Sequence, residues 1–529
     1  MNRKIIFFFL VTILLFTLTK VFFKIMTSLD HNEHMYITAS ILTAQNNILY
    51  KDFAYVQMPY LPLLYGSLFK SLNITSYYLL AGKFISFLSL CFSTVLVLIQ
   101  GKQVLKDINL SLSIVILFLL NPSITDPSTE VSNYIMPVFF SLASFYIFNV
   151  SIYKERIGYF GLAIAGLLLA IAIGIKLTYA TIIVPFVIFS SLHLLTSDTT
   201  IDKRKKFINI LLSFLAGLVI GLLPVVFYLA DIKSFIFNNL GYHNLNTQWR
   251  QDTGFSDAMS LKQKISFALV IFLQPNNLIL ISGILIGVAS FIYTGPRTIN
   301  RFTQKVTKEK ILLPLLLSSI ATLTALIPTP SISQYFIMPI SFLFILLIFS
   351  QASKSDLPLK TSTLQTVLFN KHLVLILVLV SLVYNIPSFK NSTPRLDRSS
   401  WSGIYIHDVS LKIRKTLINN GIDTNRKIAT LSPLYIIEAN LPIYPELTTG
   451  PFTYRIGDFL SPEEQRLFVV TSPNSIWSLL DEDKPSAIFV GFEGKLDKPL
   501  IKYAKSHGYK KVDDTFGGGE LYIISTDTP

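Results

Sequence analysis

Two carboxylates and two imidazoles crowd the stretch Ser28-Leu29-Asp30-His31-Asn32-Glu33-His34-Met35-Tyr36, directly after a long apolar run. In a helical turn Asp30, Glu33 and His34 share one face, because residues three and four apart are neighbours there. A carboxylate held at a membrane edge is placed to take the proton of an attacking hydroxyl. The same three side chains are competent metal ligands, so a divalent ion is one alternative, and a solvated cluster that merely ends the preceding helix is another. Further along, Lys176 stands between two apolar runs in Gly174-Ile175-Lys176-Leu177-Thr178-Tyr179. An ammonium at that depth either snorkels to water or meets an anion such as a phosphate. His243 and Arg250 lie in and just beyond an aromatic and polar stretch that starts at Phe237. They can give charge-assisted hydrogen bonds to a phosphate or act as interfacial anchors. Lys83, five residues into an apolar run, reads as a snorkelling side chain rather than a ligand.

The elements that must position these groups are membrane spans. The chain has 529 residues, 51% hydrophobic and only 14% charged, with a mean hydropathy of +0.54, which excludes a soluble globular protein. About eleven apolar runs approach the length needed to cross ~30 Å of hydrocarbon. They fall near residues 5–26, 78–99, 108–120, 132–150, 158–175, 177–195, 208–230, 275–293, 311–327, 333–350 and 371–387. The first has a basic start but no small-residue cleavage site after it, so it reads as a span that is retained.

With the N-terminus in the cytoplasm, alternate connections gather the basic residues. They hold Lys102 and Lys106, Lys154 and Arg156, Lys203 to Lys206, Arg297 to Lys310, and Lys354 with Lys360. The opposite connections at 121–131 and 328–332 contain no Lys or Arg, the asymmetry expected of a protein oriented by positive-inside loops. The net charge of +14 is thereby explained by a plasma-membrane protein facing anionic lipid, and nucleic-acid binding is excluded. The single cysteine, Cys91, excludes an intramolecular disulfide.

Residues 1–387 thus form a membrane domain with exterior loops at 27–77, 121–131 and 231–265. A boundary from Pro387 to Ser400 leads into residues 388–529, where helical and strand-like patterns (406–420, 487–491, 520–525) predict a small exterior soluble α/β domain. That domain reads as a folded accessory unit.

The first loop continues through Tyr36, Gln45, Tyr50-Lys51-Asp52-Phe53 and Met58-Pro59-Tyr60-Leu61-Pro62. This arrangement resembles the first exterior loop of the GT-C superfamily, the polyprenyl-phosphate-sugar glycosyltransferases related to protein O-mannosyltransferases and the aminoarabinose transferase of lipid A. The resemblance covers most of the chain and departs where the family commonly has Asp-Glu, since here the pair is Asn32-Glu33.

It implies a multi-pass helical membrane enzyme that moves a sugar from a polyprenyl-phosphate donor to a glycan, lipid or protein acceptor at the outer face. The base is Asp30 or Glu33, and Asp126 or Glu130 supplies a second acidic group facing it. Lys176, Arg250 and His243 bind the donor phosphate, and His34, Tyr50 and Asp52 position the loop or the acceptor. Fixed cations can stabilise the leaving phosphate, so the chemistry requires no metal. A single displacement implies inversion at the anomeric carbon. The rival readings are a transporter or flippase of lipid-linked glycans, and a polymerase or ligase using the same donor. Against a transporter, no pair of Gly/Pro-interrupted spans recurs in matching halves.

Overall fold

The computed structural model describes residues 3–153, 158–196, 203–256, 259–298, 301–352, 372–391 and 397–524. The basic residues Lys154, Arg156, Lys354 and Lys360 of the topology argument lie outside them. Among the described residues, six helices are long and apolar enough to cross a membrane: Arg3–Thr27, Tyr78–Leu105, Ile135–Tyr153, Gly158–Ile175, Arg204–Asp252 and Ser333–Ala352. Two bent pairs and three shorter apolar helices, Leu177–His193, Ile311–Ala325 and Val374–Pro387, complete the set. Every apolar run of the sequence falls in one of these, and the chain is a multi-pass membrane protein.

Local sequence explains the bends. Ile108–Leu120 starts at Asp107, whose carboxylate accepts from the amides of Asn109 and Leu110. It stops at Asn121, whose side chain accepts the Ser123 amide and opens Pro122–Thr125 with proline at its first position. The chain turns by 65° there. The second pair, Leu261–Phe272 and Pro275–Ala289, is bent by 81°. Ser260 and Gln263 form a capping box at its start, and Pro275 begins its second half.

Helices Gly158–Ile175 and Lys203–Tyr228 approach at backbone distance. A Cβ on Gly217 would fall 1.8 Å from the Ala163 carbonyl oxygen, and one on Gly166 would fall 1.9 Å from that of Phe214. Small residues at such crossings let backbones pack in lipid, where there is no hydrophobic drive between helices. Near the Ile175 end of the first of these helices Gly174 leaves room for the Tyr60 ring, which a Cβ would meet at 2.2 Å. The Tyr60 hydroxyl donates to the Gly221 carbonyl, so the first exterior loop is seated on both helices.

That loop is itself folded. Helices Asn32–Ala44 and Tyr60–Ser71 pack together, and the turn between them is tied by side chains. Asp52 accepts the Ile48 amide at 2.7 Å, and the Tyr50 hydroxyl donates to the Gln57 carbonyl at 2.6 Å. Asn238 accepts the Tyr55 amide at 3.1 Å, and Asn133 donates to the Gln57 side chain at 2.8 Å.

The C-terminal region contains a four-stranded sheet, β1 (Ile428–Thr430), β2 (Ala487–Val490), β3 (Tyr509–Lys511) and β4 (Glu520–Ile524), in the order β1-β2-β4-β3. β1 runs parallel to β2 and the other pairs are antiparallel. Its helix Ser402–Asn419 and its sheet share one apolar core with the first exterior loop, joining Met35, Ile37 and Tyr55 to Ile406, Leu434 and Phe489. The accessory domain of the sequence reading is therefore continuous with the loop that carries the acidic cluster.

Gly217→Val should separate the two helices, an overpacking penalty of about 1–3 kcal/mol or more. A lower melting temperature in detergent is expected, whereas Leu223→Val, at an exposed position, leaves it unchanged. Equal melting of both variants would contradict the close crossing.

Candidate active site

Glu33 and Asp30, three residues apart, occupy different environments. The Glu33 carboxylate is fully buried and meets the Lys83 ammonium, also fully buried, at 2.6 Å. One oxygen accepts the Val131 amide at 2.7 Å and the other the Asp30 amide at 3.0 Å. Lys83 also donates to the Thr129 carbonyl at 2.6 Å. Lys83 is thus no snorkelling side chain: it and Glu33 clamp the first exterior loop to the turn at 129–131. Asp30 keeps a side chain 32% exposed, 3.9 Å from His31, and accepts the Asn32 amide at 2.8 Å.

The clamp sets Glu130 opposite Asp30. Burial, with the charges of Asp30 and Glu33, pushes the Glu130 carboxyl up to about 8, against the opposing pull of Lys83 and of the Asn32 side chain. Its Oε2 is buried with no hydrogen-bond partner. At neutral pH it is a protonated carboxyl beside an open carboxylate. Asn32, which stands where the family pattern has Asp, contributes an amide to Glu130 instead of a third charge.

Lys176 breaks the helix that ends at Ile175, in extended conformation. Its ammonium sits 3.9 Å above the Tyr134 ring and 5.2 Å from that of Tyr335. It lines a cleft with Thr178, Tyr179, Thr324, Pro328 and Tyr335. Glu130 lies within electrostatic range, and no carboxylate among the described residues is within 4 Å. His243 faces the same space, in range of Lys176. Cation–π contacts hold the ammonium in place without neutralising it.

Arg250 has its guanidinium 4.9 Å from the Phe255 ring and lies within electrostatic range of Tyr335. Facing it is Arg455 from the C-terminal domain, which donates to the Tyr242 hydroxyl at 3.1 Å and stacks over Trp249 and Phe452, each at 5.1 Å. Phe452 also stacks on His31 at 5.5 Å. The C-terminal domain is therefore a wall of the site, which the sequence reading missed. Its sequence signal is the aromatic and basic turn Phe452-Thr453-Tyr454-Arg455. Tyr335 and Tyr134 were likewise missed as the rings beneath Lys176.

Other candidates fall elsewhere. Asp126 pairs with Lys24 at 2.6 Å and is 57% exposed, in a separate cavity of about 360 Å³ lined by Lys20, Tyr384 and Asn385. It does not face Asp30. His34 is buried against the Tyr435 ring at 5.5 Å, and burial and His31 push its imidazole down to about 3, so it packs as a neutral ring. Tyr50 and Asp52 shape the loop turn through the bonds described above. No group of three or more His, Cys, Asp or Glu fit to hold a metal ion occurs among the described residues.

This arrangement can be compared with known proteins. No family model and no curated protein sequence matches the chain. Solved structures do. ArnT from Cupriavidus metallidurans bound to undecaprenyl phosphate aligns over 98% of both chains, with a TM-score of 0.59 and 11% identity. The Archaeoglobus fulgidus oligosaccharyltransferase in complex with Zn and sulfate aligns over 97% of this chain and 74% of its own, with a TM-score of 0.52 and 14% identity. The chain has the GT-C fold. Within the GT-C fold, the likeness spans the C-terminal domain as well as the bundle, in keeping with their shared core.

Removing one partner of the buried clamp leaves an uncompensated charge, at about 3–5 kcal/mol. Lys83→Met should accordingly lower the melting temperature and the yield of folded protein. Lys83→Met combined with Glu33→Gln should recover part of that loss. A double variant as unstable as the sum of the single ones would show that the two side chains are not coupled.

Proposed function

We propose that this protein is an inverting glycosyltransferase that moves a sugar from a polyprenyl-phosphate donor to an acceptor hydroxyl at the outer face of the membrane. The observation that carries this reading is that, inside a GT-C fold, an open carboxylate (Asp30), a buried carboxyl pushed up by its surroundings (Glu130) and a lysine without an ion-pair partner (Lys176) lie in electrostatic range one after the next. The undecaprenyl phosphate bound by ArnT supports a lipid phosphate as the donor. The distribution of basic connections supports an N-terminus inside and a C-terminal domain outside.

In this mechanism Asp30 takes the proton from the acceptor hydroxyl as its oxygen forms the new bond to the anomeric carbon. The bond from that carbon to the phosphate oxygen breaks on the opposite face, through an oxocarbenium-like transition state. Lys176, with His243 beside it, receives the charge that develops on the departing polyprenyl phosphate. Glu130, protonated, donates a hydrogen bond within the site. Glu33 is not the base, because its carboxylate is already committed to Lys83 and two backbone amides.

Loss of the protein from its cell should accumulate one polyprenyl-phosphate sugar and remove one sugar from a surface glycan, lipid or protein, both read by mass spectrometry. Asp30→Asn, shown to be inserted and folded, should lose roughly 10²- to 10⁴-fold in turnover and fail to restore the missing sugar. Full restoration by Asp30→Asn would remove the first loop from the chemistry.

The protonated state of Glu130 gives a pH signature. With its carboxyl pushed up to about 8, rising pH ionises it beside Asp30 and the leaving phosphate, so turnover should fall above that point. Glu130→Gln, which keeps the uncharged state, should stay active within a few-fold at neutral pH and lose the part of the alkaline fall that lies near 8, leaving the part due to Lys176, whose ammonium burial pushes down to about 7. An unchanged alkaline limb in Glu130→Gln would show that another group titrates.

A further inference from the structure

Arg250 and Arg455 come from parts of the chain 205 positions apart, and nothing in the donor mechanism uses them as a pair. Arg455 is 7% exposed. The Nε atoms of both arginines are buried with no hydrogen-bond partner. Neither has a carboxylate within 4 Å among the described residues. The two guanidiniums lie within electrostatic range of each other, and both are in range of His31, which adjoins Asp30. Glu493 lies in electrostatic range of Arg455 without forming an ion pair, and burial together with Asp497 pushes its carboxyl up to about 7.

Two like charges held together in a partly dehydrated wall repel and lose hydration, and an anion between them relieves both effects. The rings around them fit that purpose. Trp249, Phe452 and Phe255 take up guanidinium faces, which leaves the edge N–H groups, apart from the one Arg455 gives to Tyr242, for an acceptor, and a guanidinium edge matches the paired oxygens of a phosphate or carboxylate. Lys176 lies instead against Tyr134 and Tyr335, beside Glu130 and His243. Both arginines are in range of His31, which adjoins the carboxylate Asp30, while Arg250 is also in range of the Tyr335 ring at the edge of the Lys176 cleft.

We infer that Arg250 and Arg455 form a second anion site, built jointly by the membrane domain and the C-terminal domain, which holds a phosphate or carboxylate group of the acceptor. This rests on the glycosyltransferase reading for the word acceptor, and it revises Arg250 from donor phosphate to acceptor. The acceptor class is accordingly an anionic glycan, lipid or peptide.

The test uses the full-length protein in detergent with inorganic phosphate as the probe, at matched ionic strength, and reads its effect on the melting temperature with and without saturating polyprenyl phosphate. Phosphate should still stabilise the protein once polyprenyl phosphate fills the Lys176 cleft. Its apparent affinity should fall at least tenfold in Arg455→Gln and in Arg250→Gln but not in Lys176→Ala. Arg250→Gln, at a half-buried position, keeps the test valid if Arg455→Gln does not fold. Loss of the phosphate effect on adding polyprenyl phosphate would assign the pair to the donor and overturn the inference, as would full phosphate binding in the arginine variants. Failure of polyprenyl phosphate to bind the parent would instead count against the transferase reading and leave the phosphate result to be judged separately.

Discussion

The buried ion pair between Glu33 and Lys83 fixes the geometry on which the site depends. Two opposite charges removed from water are tolerated only when their attraction and further hydrogen bonds offset the lost hydration. Here the Val131 and Asp30 amides and the Thr129 carbonyl supply those bonds. Two of those groups belong to the turn that presents Glu130 and one to the link between the first span and the first loop helix, while Lys83 itself comes from the helix Tyr78–Leu105. The pair works as a joint among three segments that have no regular hydrogen bonding between them. It also leaves Asp30, whose amide is engaged, with a side chain open to the site.

Sequence made the residue types of this site legible and left their division of labour hidden. Asp30 and Glu33 stand out because charged groups are rare beside an apolar run. What separates the open carboxylate from the clamped one is Lys83, fifty positions away and indistinguishable in sequence from a snorkelling lysine. Asp126 and Glu130 are four residues apart and look equivalent, yet Pro127 opens a short turn between the two, so that one pairs with Lys24 and the other lies in electrostatic range of Asp30. Lys176 was legible for a physical reason, since an ammonium between two spans has few tolerable surroundings. The aromatic rings beneath it were not, because tyrosines at the ends of spans are common as interfacial residues.

The spans were legible from hydropathy, and their bends from capping residues, because both are local properties. The role of the C-terminal domain is non-local. Its helices and strands were recognisable by pattern, but the contact that matters, Phe452 and Arg455 against His31, Trp249 and Tyr242, joins three separate stretches of chain. A domain boundary drawn from composition has no means of showing that its two sides share a core.

The same domain is anchored where the clamp begins. Glu438 accepts the backbone amides of Tyr77 and Tyr78, the latter at 3.0 Å, at the start of the helix that carries Lys83 five residues later. A carboxylate there satisfies amides that have no partner within the helix and complements its dipole. His407 meets Glu438 at 2.7 Å and stacks on Tyr77 at 3.8 Å, and a Cβ on Gly403 would fall 2.5 Å from the Leu80 amide. The outer end of this one helix therefore bears both the C-terminal domain, through Glu438, and the first loop, through Lys83. Asp30 on the loop and Arg455 on the domain are held relative to each other by a single rigid element. An acceptor bridging the two would meet a preorganised pair of groups, which is how a site secures orientation without ordering loose loops at the moment of reaction.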